Sequence, residues 1–379
     1  MGLKKDKIYY TYEDVTIMPN VISSIEHRSE CITLDEEGML PLFTAPMNTV
    51  VDINNFELFE NEMIHAILPR TERLETRIEY SVRGRWAAYS MAEFESVFCD
   101  EMSKLDESNG IKALIDIANG HMEKVFELAK KAKSIWGDKL ILMGGNIANP
   151  ETYEKYVEAG FWGVRCGIGG GSGCITSSNS GIHCPIASLL SEIYCIKKKM
   201  IENGAEEKNL TKIIADGGIR NYSDIIKAIG AMGADYVMIG SVFAKMVESA
   251  AYKSCTSEEW YHLPATTTVS DLTDMRKTEN GWFGKYDNKE IFLGDISAIF
   301  YGMASKEGQI ALNGEKKKTS EGIKKTLPVL YTMHGWVTNF IDYLRSAMSY
   351  TNCYNIKKFN PDNVDSIIIS SQAKKAIND

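Results

Sequence analysis

Eight short apolar runs, each followed by a polar or glycine-rich turn, constrain the fold of this chain more than any other feature. They are Leu42–Ala45, His65–Leu68, Ala87–Ser90, Ala113–Ile117, Leu140–Met143, Gly163–Cys166, Ile213–Ala215 and Tyr236–Ile239. Several lack strict alternation and are rich in Ile, Val, Leu and Ala, as strands are when a parallel sheet is covered on both faces. Between them Met122–Ser134, Pro150–Ala159, Pro185–Asn203 and Tyr222–Met232 carry apolar residues at helical spacing. Eight strands alternating with helices predict an α/β fold, a (β/α)8 TIM barrel. A doubly wound open sheet is the alternative. It would carry a dinucleotide glycine fingerprint after its first strand, where this chain has Pro46-Met47-Asn48.

A barrel gathers every strand-end turn at its C-terminal face, where such folds keep their active sites. Those turns are Pro46-Met47-Asn48, Asn119-Gly120-His121, Gly144-Gly145-Asn146, Asp216-Gly217-Gly218 and Gly240-Ser241, together with the run from Gly167 to Thr176 after the sixth strand. That run hangs Ser172, Cys174 and Thr176 on a glycine-rich loop. Glycines let backbone N–H groups approach an anion, Ser172 can donate to a phosphate oxygen, and the Cys174 thiol can attack an electrophilic carbon. Taken alone, the loop could equally be a flexible surface turn around a structural cysteine, Asp216 a turn residue, and Ser241 a helix N-cap. Residues from about 254 to 325 break the strand–helix rhythm. We expect a hairpin and flap there, containing Lys316-Lys317-Lys318, followed by C-terminal helices, all within one catalytic domain spanning 1–379.

Composition narrows the function classes. A formal net charge of −9 disfavours nucleic acid or an anionic membrane as the main partner, while local backbone dipoles still suit a small anion. No 18-residue apolar run and no signal-peptide-like start appear, so a cytoplasmic protein is expected. The eight cysteines form no CxxC pair, which suits reduced thiols better than a disulfide framework or a zinc site. Cys166, Cys184 and Cys195 sit in apolar or helical settings and read as structural.

Taken together, Ala45-Pro46-Met47, Gly145-Asn146, the loop from Gly167 to Thr176, Ala215-Asp216-Gly217-Gly218, Gly240-Ser241 and Tyr301-Gly302-Met303 make the chain resemble the IMP dehydrogenase / GMP reductase family over nearly its whole length. The resemblance implies a purine mononucleotide with its phosphate against Ser172, Gly218, Gly240 and Ser241 and its ribose hydroxyls on Asp216. It places the base near Met47 and Met303, with Asn146, Arg165, Gly217, Ala304 and Lys318 completing the substrate site. A nicotinamide dinucleotide is implied at Asp116, Ala118, Asn119 and Gly120, and a monovalent cation, K+ in kind, on carbonyls of Gly169, Gly171 and Cys174. A homotetramer is also implied, with Val329–Tyr354 packing on a neighbour or closing the barrel bottom.

Within the family, the resemblance to the reductase branch is closer. Asp116-Ile117-Ala118-Asn119-Gly120, Phe300-Tyr301-Gly302-Met303 and Ser320-Glu321-Gly322 carry it. In that reading Cys174 adds to carbon 2 of GMP, Thr176 and Glu321 protonate the departing amino group, and NADPH supplies hydride to give IMP. The dehydrogenase branch, converting IMP with NAD to XMP, uses an Arg-Tyr pair on its flap to activate water. Between Met303 and Glu321 this chain has neither residue type, and no tandem regulatory (CBS) insertion interrupts its strands. Gly240-Ser241 looks more like the dehydrogenase branch, Asn48 replaces a usual aspartate, and Lys318 stands where reductases have an arginine. A barrel that binds purine nucleotides without turnover is the reading of another class; it would have no use for a nucleophile.

Overall fold

The computed structural model describes residues 7–100, 110–256, 263, 271–315 and 319–370. All eight expected strands form, as Leu42–Thr44, Ile67–Leu68, Trp86–Tyr89, Ile111–Ile115, Leu140–Ile147, Gly163–Cys166, Lys212–Asp216 and Tyr236–Ile239. Each pairs in parallel with its neighbours in sequence, and the first pairs with the eighth through Leu42↔Val237. The bridge Phe43↔His65 joins the first strand to the second and closes the barrel. Only Gly163–Cys166 and Tyr236–Ile239 keep their expected bounds, and two of the shifts are instructive. The third run ends at Tyr89 because the Ser90 side chain caps the next helix, accepting from the Glu93 amide. The fifth continues through Gly144 and Gly145 to Ile147.

Side chains that alternate along the strands divide into two cores. Phe43, Ile67, Trp86, Ala88, Leu114, Met143, Ile214 and Met238 fill the barrel interior. The opposite faces pack on the helices: Val125, Leu128, Ala129, Ala132 and Trp136 line the buried stripe of Glu123–Trp136, and Ile225, Ile226 and Ile229 that of Tyr222–Gly230. At the N-terminal end Phe43 stacks on His65 at 4.7 Å, and Asp35 bonds both His65 Nε2 at 2.8 Å and the Tyr236 hydroxyl at 3.1 Å. That end is therefore plugged, and the open end is the one bearing the glycine turns.

The excursion is more elaborate than a hairpin and flap. Lys253–Cys255, Ile296–Tyr301 and Lys324–Pro328 form one antiparallel sheet, Thr273–Thr278, Gly281–Tyr286 and Lys289–Gly294 a second, and a helix spans Lys306–Asn313. The two sheets share a small core around Trp282, Leu293, Ile296 and Val329, and Trp282 Nε1 donates to the Val329 carbonyl at 3.1 Å. Lys316, Lys317 and Lys318 lie outside the described residues.

The C-terminal segment packs along the side of the barrel. Met333–Tyr350 is one long helix whose Trp336 packs on Tyr222 at 5.1 Å and on Phe243 at 5.2 Å, while His334 meets Glu62 at 3.0 Å. It thus occupies the place of the eighth barrel helix, between Tyr222–Gly230 and the first helix, Phe56–Asn61. The excursion is an insertion between the eighth strand and its own helix. Among the described residues no helix is long and apolar enough to cross a membrane.

Candidate functional site

The glycine–cysteine loop is shaped by close backbone approaches. Gly167 has φ +132°, and a Cβ there would lie 2.2 Å from the Asp216 carbonyl oxygen, so only glycine lets the sixth and seventh strand ends meet. Beyond it the Cys174 amide donates to the Gly171 carbonyl at 2.9 Å. The segment after the flap then closes on this loop as a short antiparallel pair. Ile175 N donates to the Glu321 carbonyl at 2.9 Å and Ile323 N to the Gly173 carbonyl at 3.0 Å, bridging Cys174 to Gly322. These backbone bonds, not the side chain, fix Glu321 beside the thiol.

A continuous hydrogen-bonded line results. Cys174 Sγ donates to Thr176 Oγ1 at 3.1 Å, and Thr176 Oγ1 donates to Glu321 Oε2 at 3.1 Å. Carboxylate, hydroxyl and thiol are in register for moving a proton between the sulfur and Glu321. Cys166, by contrast, is fully enclosed, and burial pushes its thiol far above the ordinary range. Cys195, expected to be structural, is exposed on its helix.

The line faces a cleft of about 190 Å³ at the C-terminal face. Its walls include Met47, Ser172, Cys174, Asp216, Gly217, Gly218, Gly240, Ser241, Met303, Ala304 and Glu321, all anticipated from sequence. Phe300, Ile219 and Met238 also line it without having been singled out as site residues. Phe300 belongs to a quoted motif, whereas Ile219 and Met238 carried no signal beyond hydrophobicity. Asn48 sits behind the wall, donating to the Tyr301 hydroxyl at 2.9 Å.

The remaining expected residues lie around this cleft. Arg165 and Asn146 do not line it but support Asp216 from behind. Asn146 Nδ2 reaches Asp216 Oδ2 at 2.7 Å, and Arg165 reaches the same oxygen through Nε at 3.0 Å and Nη2 at 2.9 Å. Arg165 Nη1 also donates to Asp116 Oδ1 at 2.6 Å. Burial alone would make the guanidinium release its proton more readily; the charges of Asp216 and Asp116 outweigh that and raise its pKa. Ala118 and Asn119 are exposed, while Gly120 is buried, its amide on the Asn146 carbonyl at 2.8 Å and its carbonyl accepting from Tyr156 at 3.0 Å. For a cation, the Gly169 carbonyl already accepts from Ser177 Oγ at 3.1 Å and the Gly171 carbonyl from Cys174 N. Each keeps a second lone pair, and neutral carbonyls are the donors a monovalent ion prefers. Among the described residues no cluster of three or more His, Cys, Asp or Glu side chains could hold a metal.

Comparison with known proteins agrees with this geometry. Residues 99–376 match the domain described as IMP dehydrogenase / GMP reductase domain. The GMP reductase of Shouchella clausii is 33% identical over 249 residues, covering 63% of this chain and 72% of that protein. That of Staphylococcus aureus (strain JH9) is 34% identical over 250 residues, covering 63% and 72%. The Streptococcus suis (strain 05ZYH33) GMP reductase is 32% identical over 249 residues, covering 63% and 71%. With the barrel, the cleft and the family domain all coinciding, the chain belongs to the IMP dehydrogenase / GMP reductase family, oxidoreductases that act on purine nucleotides.

Proposed function

We propose that this protein is a GMP reductase, converting GMP to IMP and ammonia through a covalent adduct between Cys174 and purine carbon 2. The observation that carries the reading is the Cys174–Thr176–Glu321 line, with both contacts at 3.1 Å. The relatives named GMP reductase support it from outside the site.

The thiol proton moves through the Thr176 hydroxyl to Glu321 as sulfur attacks carbon 2. Glu321, now a carboxylic acid, returns that proton through Thr176 to the 2-amino group. Ammonia is a poor leaving group unless protonated, so this second transfer lets it depart and leaves sulfur bonded to carbon 2. A reduced nicotinamide, when bound, supplies the hydride that replaces sulfur at that carbon. The Cys174 thiolate then takes a proton from solvent, its original proton having left with ammonia, and IMP is released.

The glycine amides at 217, 218 and 240 with Ser172 and Ser241 suit the phosphate, and Asp216 Oδ1 suits the ribose hydroxyls. Asp116, Ala118 and Asn119 would hold the dinucleotide, with NADPH as the donor. A potassium ion on the carbonyls of Gly169, Gly171 and Cys174 would stiffen the loop, and no step passes through it. The dehydrogenase reading needs a group to activate water. The described part of the Met303–Glu321 segment offers neither arginine nor tyrosine, which favours amine release over hydrolysis.

Following the reduced-nicotinamide absorbance separates the readings. Absorbance falls with GMP and NADPH if the proposal holds. A rise with IMP and NAD, and no fall with GMP, would assign the dehydrogenase activity instead. Silence in both, with measurable nucleotide binding, would mean a binding module.

A further inference from the structure

Asp116 and Asp216 stand at the ends of the fourth and seventh strands, and one buried guanidinium from the sixth joins them. Arg165 Nη1 is 2.6 Å from Asp116 Oδ1, and its Nε and Nη2 are 3.0 and 2.9 Å from Asp216 Oδ2. Asn146, from the fifth strand, extends the chain of contacts. Its one amide nitrogen donates to Asp216 Oδ2 at 2.7 Å and to the Gly167 carbonyl at 2.9 Å, where the cysteine loop begins. Among the described residues, Asp116 Oδ2 and Asp216 Oδ1 accept from no donor. Each carboxylate therefore commits one oxygen to Arg165 and leaves the other for a ligand.

We propose that Arg165 is a positioning residue that couples the two substrate sites, so that a purine mononucleotide on Asp216 and a nicotinamide dinucleotide on Asp116 each tighten the other's binding. The inference rests on the proposed function for which ligand meets which carboxylate. A hydroxyl that donates to Asp216 Oδ1 fixes that carboxylate and, through the planar guanidinium fork, the orientation of Asp116. The second ligand then meets an acceptor already ordered, and by linkage the effect is reciprocal. Lysine cannot replace the fork, because one ammonium cannot hold two carboxylates in fixed planes.

The test uses IMP and NADPH, a pair with no amine to release and no hydride acceptor, so the ternary complex persists. Dissociation constants for NADPH with and without saturating IMP, and for IMP with and without NADPH, give the coupling factor. In the wild-type protein we expect a factor of about fivefold or more, equal in both directions. Arg165→Lys should bring it to about one. Asp116→Asn, which removes a single carboxylate charge, is the second arm and should do the same should Arg165→Lys fail to fold. The factor is a ratio, so it is read independently of any loss in either binary affinity. Weakened binary complexes with the factor intact, or a wild-type factor near one, would make Arg165 an ordinary packing residue and overturn the proposal. Failure of the wild-type protein to bind IMP at all would instead overturn the functional reading, and this inference with it.

Discussion

Glu321→Gln isolates proton transfer from positioning. The Glu321 backbone bonds to Ile175 and Ala304 do not involve its side chain, so the flap segment should stay zipped to the cysteine loop. The amide oxygen of glutamine can still accept from Thr176 Oγ1 where the carboxylate does now, at 3.1 Å. What is lost is the capacity to take and return a proton. Positioned acid–base groups contribute typically about 10²–10⁴-fold in rate, or roughly 3–5 kcal/mol of barrier. GMP affinity should change by no more than about threefold, since swapping one exposed hydrogen bond alters binding by well under ~1 kcal/mol. Steady-state and single-turnover rates with GMP and NADPH, alongside equilibrium GMP binding, measure both quantities. A variant that kept more than about a third of the wild-type single-turnover rate would show that Glu321 carries no proton in the reaction.

Other substitutions probe the supports of the site. Asp216→Asn removes a charged acceptor, so KM for GMP should rise about 10–100-fold, as expected for losing hydrogen bonds to a charged group; an unchanged KM would remove Asp216 from the nucleotide site. Gly167→Ala would force a Cβ to 2.2 Å from the Asp216 carbonyl at a positive φ, and should cost about 1–3 kcal/mol of stability in backbone strain, read as a lowered melting temperature. Lys253 is half-buried against the carbonyls of Ser249 and Ala251, and loss of solvent there, partly offset by Glu248, lowers its pKa to about 8. Because the unfolded chain binds that proton up to about pH 10.4, stability should rise between roughly pH 8 and pH 10, by at most about 3 kcal/mol. The penalty is fully present below pH 8. Lys253→Met should flatten this segment of the stability–pH curve; an identical curve would refute the assignment.

The barrel was legible because its strands are buried on both faces and so appear as short unbroken apolar runs, with the helices showing their stripes between them. The excursion was less so. Thr273–Thr278, Gly281–Tyr286 and Lys289–Gly294 have one face largely in solvent, and their small core around Trp282 forms only when the two sheets meet. The final helix was visible, but its place in the ring was not, because the excursion separates it from its strand. In the site, Cys174 and Thr176 are two residues apart and signal themselves locally. Glu321 is 145 residues from Thr176, and only family resemblance linked them. Arg165 illustrates the opposite case. Resemblance implied a substrate contact there, and only the folded chain brings Asp116 and Asp216 against its Nη1, Nε and Nη2.

The proposed chemistry requires one sulfur to bond to the purine ring. Incubating the protein with GMP in the absence of a reduced nicotinamide, quenching in acid and mapping peptides by mass spectrometry tests it directly. We expect the peptide containing Cys174 to gain the mass of GMP less ammonia, and Cys174→Ala to gain nothing. Sustained turnover of Cys174→Ala, or a nucleotide attached to another cysteine, would contradict the account.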